Sequence, residues 1–179
     1  MAAEDETRYG PTAGLTAGWI GVVLCAALAV GLPFTGQDRT TLRFAVGGAL
    51  AAVVIWTFTI RPRIILAPGT LALRNPLSTW LVPVGLVDDV VVRVTTHVVV
   101  GERVFEGVAV GKTLRVLAGS KLVWGNPDPV PDLLVQRVLA AAENARAAGT
   151  PTGEPERVWA VPVLVAAGVL GVALLALFL

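Results

Sequence analysis

The sequence predicts a membrane α-helical protein with three spans plus a β-rich domain, a bent antiparallel sandwich or barrel capped by one C-terminal helix. Three observations lead there. The 179 residues are 55% hydrophobic with a mean hydropathy of +0.74, against the roughly 45–50% apolar share of an ordinary globular chain. The excess is gathered into three nearly uncharged runs of about 20 residues, the length that crosses a ~30 Å hydrocarbon core at 1.5 Å per residue. Between the second and third runs, Arg61 to Ala148 reads as short alternating stretches broken by Pro and Gly, followed by one stretch of helical periodicity.

Residues 1–14 form a polar, acidic tail with Glu4, Asp5 and Glu6. A secretory signal needs a basic start and a short apolar core, so the expectation is a retained anchor. The first span is 15–34, with Trp19 near an interface. Residues 35–41 read as a short polar loop, and 42–60 as the second span, with Arg43 at its edge and free to snorkel. So short a loop makes the two spans an antiparallel hairpin. Gly14 and Gly18, and then Gly47 and Gly48 with Ala51 and Ala52, stand at the four-residue spacing that lets helices approach closely. Leu32-Pro33-Phe34-Thr35-Gly36 spells the pattern that sortases cleave. Such signals end a protein, so the stretch reads as a Pro-Gly helix exit.

The domain is expected over 61–148. Ile64 to Leu66 is a strand, Pro68-Gly69 the centre of a type II turn, and Leu71 to Asn75 a strand with Leu71 and Leu73 on one face. Asn75-Pro76 breaks it. Thr79 to Val82 is a third strand, Val90-Val92-Val94 one face of a fourth, and Val98 to Val100 a fifth. Val104 to Val110 and Thr113 to Leu117 flank a hairpin turn at Gly111-Lys112, and Trp124 is a candidate core plug. Asp128 and Pro129 suit a helix start. Leu134, Val138, Ala141 and Ala145 make an apolar stripe, Arg146 lies off it with no structural role expected, and Gly149 stops the helix. Residues 149–157 read as a linker and 158–179 as the third span.

Charge sets the orientation. Arg8, Arg61, Arg63, Arg74, Arg146 and Arg157 lie on the domain side of the spans, and only Arg39 and Arg43 on the other. Lys and Arg near span ends mark the cytoplasm, so the N-terminus and the domain are expected to be cytoplasmic and the protein to be multi-pass in the cell membrane. Arg61, Arg63 and Arg157 are expected to contact the membrane surface. A net charge of +1 gives no general field for nucleic acid, so no nucleic-acid partner is expected. Cys25 is the single cysteine, inside an apolar run, and reads as a small hydrophobe. No paired carboxylates, nucleophile–base pair or metal spacing stands out. Asp88, Asp89 and His97 match no usual ligand spacing. No catalytic residue, cofactor or metal is therefore expected.

Short strands followed by one amphipathic helix is the order of a pleckstrin-homology fold. Arg61-Pro62-Arg63-Ile64-Ile65-Leu66 after a membrane hairpin, then Gly69-Thr70-Leu71-Ala72-Leu73-Arg74-Asn75, resembles the PH-like domain of actinobacterial membrane proteins of the low-molecular-weight protein antigen 6 type. The resemblance covers about half of the chain. It lacks the Trp expected shortly after Pro83, and the third span is less typical of that family. It implies a fold and a membrane address but no reaction. The expected function is an interaction module that scaffolds or recruits an unknown membrane or cytoplasmic protein beside the lipid bilayer, with oligomerisation open. Anionic-headgroup sensing and an accessory role to a membrane enzyme or transporter are the alternatives.

The orientation is directly testable. In a Cys25→Ser background, Asp38→Cys should react with an impermeant thiol reagent added to intact cells, and Ser120→Cys should be protected. Labelling of position 120 from outside would invert the topology.

Overall fold

A computed structural model describes residues 6–11, 14–36, 38–110, 130–149 and 153–179. The chain divides into a β unit, Met1–Ala13 with Pro62–Val158, and a helical unit, Gly14–Arg61 with Trp159–Leu179.

The β unit holds eight strands among the described residues: β1 (Thr7–Tyr9), β2 (Arg63–Ala67), β3 (Thr70–Arg74), β4 (Ser78–Pro83), β5 (Asp89–Val92), β6 (Thr96–Val100), β7 (Arg103–Gly107) and β8 (Glu156–Trp159). They form a five-stranded sheet in the order β1-β2-β3-β4-β8 and a three-stranded sheet β5-β6-β7. Gly69, at φ 76°, closes the two-residue turn between Ala67 and Thr70, which pair across it. Glycine adopts that φ without steric cost. A short 3-10 turn, Val84–Leu86, leads from the first sheet to the second. Its first amide donates to the Gly69 carbonyl (3.0 Å), tying the crossover to the β2–β3 turn.

Alternation along the strands builds the core. Ile64, Leu71, Leu73 and Val82 point inward from the first sheet and Val90, Val98 and Phe105 from the second, all buried. Trp80 meets Phe105 edge to face at 5.1 Å, a favoured aromatic geometry. Helix Val130–Ala147 adds Leu134, Val138 and Ala142 to the same core. Asn75 joins the sheets: its Nδ2 donates to the Glu106 carbonyl (2.7 Å), and its Oδ1 accepts from the Val108 amide (3.1 Å).

Two segments expected to be irregular are strands. The polar tail 1–14 contains β1, whose Tyr9 is buried and pairs with Ile64. The linker 149–157 gives way at Glu156 to β8, which runs through Trp159 into the start of the expected third span. Both segments are short, and both cover edges of the sheet that would otherwise leave backbone groups unpaired. Gly153 lies beside Pro83 and Arg157 over Trp80, so β8 runs antiparallel to β4. The end of β1, the start of β2 and the end of β8 therefore share one end of the sheet. The fourth strand stops at Val92, leaving Val94 exposed, and β7 stops at Gly107, short of the expected Val110. The expected turn at Gly111-Lys112, the strand Thr113–Leu117, Trp124 and the Asp128-Pro129 helix start lie outside the described residues.

The helical unit contains three helices long and apolar enough to cross a membrane: Leu15–Phe34, Arg39–Ile60 and Val161–Phe178. Numbering the helices in chain order, α1 is Leu15–Gly31, α2 Arg39–Ile55, α3 the domain helix Val130–Ala147, and α4 Val161–Phe178. The sortase-like pattern is a helix exit: Leu32–Phe34 is a 3-10 turn and the Thr35 hydroxyl donates to the Leu32 carbonyl. The second span starts three residues earlier than expected because Asp38 caps it, accepting from the amides of Thr40 and Thr41. Those bonds satisfy helix-start donors that have no partner within the helix. The Thr41 hydroxyl, first, and the two amides hold the Asp38 carboxyl below the usual carboxylate range. Arg43 therefore lies one turn inside the span. At its far end α2 widens into a π turn, Trp56–Ile60, where the Thr57 hydroxyl bonds back to Val53 and that of Thr59 to Ile55. Back-bonding of this kind perturbs helices.

Arg146 departs from expectation. It sits on the exposed side of α3, and its guanidinium donates to the carbonyls of Gly85 (3.1 Å) and Val87. Those carbonyls belong to the crossover, so Arg146 ties the helix to the seam between the sheets. Leu134→Ala should destabilise the β unit by about 2–5 kcal/mol. Arg146→Ala should cost about 1–2 kcal/mol through the lost charge-assisted bonds. Thermal melts of the full chain in detergent, followed by the sheet circular-dichroism band, separate the two. An Arg146→Ala melt identical to the parent would show that those bonds carry no stability.

Candidate functional site

The β unit has a concavity beside its helix. The β2–β3 turn (Leu66 to Gly69) forms one wall, and α3 forms the other with Arg137, Ala140 and Asn144, extended by Ala148 just beyond the helix. Its volume is about 440 Å³. The hollow follows from the composition of α3. That face of the helix presents alanines, whose short side chains leave the space toward the hairpin unfilled. Leu66 and Val84 make the wall apolar, and Arg137 and Asn144 add polar groups. The Arg137 side chain makes one long hydrogen bond among the described residues, 3.5 Å to the Tyr9 hydroxyl. A hollow that combines apolar side chains with a few polar groups is the usual form of a recognition site.

The arginines expected at the membrane surface have unlike environments. Arg61 is only 7% exposed. Arg63 is half-buried in β2 and pairs directly with Arg74 of β3. Like charges directly opposite in a sheet repel, and neither arginine makes an ion pair among the described residues. Arg157 is exposed and lies over the Trp80 ring, 5.4 Å from its centroid.

The four glycines expected at helix contacts also differ. A Cβ on Gly18 would stand 2.5 Å from Thr59 Oγ1, and one on Gly48 would stand 3.0 Å from the Cys25 carbonyl oxygen. These two mark close approach of α1 to the second span. Gly14 and Gly47 have nothing within 4 Å of such an atom. Gly14 instead takes a left-handed φ of 77° before α1.

The remaining polar residues of interest hold turns and strand faces. Asp88 Oδ2 accepts from the Gly101 amide (2.6 Å) and steadies the β6–β7 turn. Asp89 Oδ1 accepts from Val90 N (2.8 Å). His97 Nε2 lies 3.2 Å from the Thr95 hydroxyl, which donates to Glu106 (2.8 Å). Among the described residues no group of three or more His, Cys, Asp or Glu could hold a metal ion. Sequence reasoning missed the α3 hollow and the Arg63–Arg74 pair. The hollow had a trace in the Ala-rich second half of α3. The arginine pair becomes visible once the Pro68-Gly69 turn fixes the hairpin register.

The glycine geometry makes a sharp prediction. Gly18→Ala and Gly48→Ala should each lower the melting temperature of the helical unit by forcing neighbours apart. Gly47→Ala should leave it unchanged or raise it, since Ala is favoured over Gly within a helix by about 0.8–1 kcal/mol. Equal effects at Gly47 and Gly48, measured by thermal denaturation in detergent, would contradict the packing described.

No family model, curated protein or solved structure matches this chain.

Proposed function

We propose that the chain is a membrane-anchored interaction module, not an enzyme, whose β unit is a domain of pleckstrin-homology type that recruits a partner protein at the cytoplasmic face. The observation that carries this reading is the open hollow between the β2–β3 turn and α3, lined by apolar side chains together with Arg137 and Asn144. Two antiparallel sheets with a helix packed into their core support the domain type. The three apolar helices support anchoring, and the Lys/Arg asymmetry supports the cytoplasmic side.

A second reading, binding of anionic headgroups, has its own observation. Arg63 and Arg74 stand opposite each other without a carboxylate partner among the described residues, and a phosphate would relieve their repulsion.

A photo-crosslinking amino acid at Asn144, irradiated in native membranes, should yield a discrete protein adduct. The same probe at exposed Glu102 should not, and Ala140→Arg, which places a bulky charge in the hollow, should abolish the adduct. Identical adducts from both positions would sink the recruitment reading. No adduct, together with loss of anionic-vesicle binding in an Arg63→Glu, Arg74→Glu double variant, would favour the headgroup reading.

A further inference from the structure

The helical unit contains a lateral groove of about 840 Å³ bordered by all three of its helices. Thr40, Arg43, Gly47 and Ala51 form one wall on successive turns of α2, with Leu28 of α1 and Phe178 of α4 facing them. The groove exists because Gly47 presents no side chain and has open space around it. A void this large beside lipid will not stay empty, since its lining would forgo dispersion contacts.

Its length and its charge identify the occupant. Thr40 to Ala51 is eleven helical steps, about 16 Å at 1.5 Å per residue, or about half of a ~30 Å hydrocarbon core. The groove thus ends near mid-span. A packed helix would need a contact strip along the whole span, whereas an acyl chain occupies one leaflet. At the polar end sits Arg43. Its Nε donates to the Leu177 carbonyl (2.9 Å), and its guanidinium lies 4.6 Å from the centre of the Phe178 ring. The two terminal nitrogens have no hydrogen-bond partner among the described residues. Asp38, the acid one turn earlier, is engaged with Thr40 and Thr41, and Arg39 adds a second positive charge at the same end.

We infer that this groove binds an anionic phospholipid, one acyl chain lying along Gly47 and the phosphate held by Arg43. The arginine is thereby fixed to α4 by one nitrogen and presents the others to the headgroup, so a bound lipid would bridge α2 and α4. The inference rests on the membrane-anchoring part of the function proposed above, and on no property of the β unit.

The test is native mass spectrometry of the full chain after reconstitution in equal phosphatidylglycerol and phosphatidylcholine and gentle extraction. One phosphatidylglycerol per chain should be retained, favoured over phosphatidylcholine by about fivefold, the effect of one base at an anionic surface. Gly47→Phe should fill the groove and release both lipids. Arg43→Gln should abolish the preference. Val30→Phe, on the exposed surface of α1 away from the groove, should change nothing. Phosphatidylglycerol carried equally by Gly47→Phe, equal retention of the two lipids by the parent, or a second copy of the chain in place of lipid would each overturn the inference. A parent chain that enters bilayers but holds no lipid overturns this inference alone. One that fails to enter bilayers overturns the anchoring as well.

Discussion

The pairing of β2 with β3 is the constraint from which the β unit is built. Pro68 and Gly69 leave the chain one way to turn, which sets Ile64 against Leu73 and Leu66 against Leu71 on the buried face. Once that register is fixed, β1 adds to one side and β4 to the other, and the Gly69 carbonyl receives the amide that begins the crossover to the second sheet. A slip by one residue would turn every one of these side chains to the opposite face.

The seam between the sheets is held differently. Asn75 uses both ends of its amide on backbone groups flanking the end of β7, and Arg146 reaches from α3 to two carbonyls of the crossover. Apolar contact alone is non-directional. These polar bonds pin the sheets and the helix at defined points, while Trp80 and Phe105 fill the space between. The same economy of side chains leaves the hollow beside α3: where the helix carries alanine, nothing reaches the hairpin.

In the helical unit, glycine has two opposite consequences. At Gly18 and Gly48 the missing side chain admits a neighbour. At Gly47, one residue from Gly48 and about 100° around the helix, it leaves a groove. Arg43 belongs to both a contact and a vacancy, since it satisfies a terminal carbonyl of α4 that has no partner within the helix and keeps donors in reserve beside the groove.

By itself the sequence determined the three apolar helices, the Pro68-Gly69 turn, most of the strands from β2 to β7, and Leu134 and Val138 as the buried stripe of α3. All of these follow from local periodicity, apolar length or the backbone limits of Pro and Gly. Tertiary structure alone decided the rest. Thr7–Tyr9 and Glu156–Trp159 are too short and too polar to signal strands, and become strands because a paired sheet offers them an edge. Four glycines at like spacing separate into contacts and open positions only when the neighbouring helix is in place. Arg61 is buried, Arg63 faces Arg74, and Arg146 bonds across the seam, because an arginine's role depends on what lies within reach of its long side chain. That is a matter of distant residues brought together, which no local pattern records.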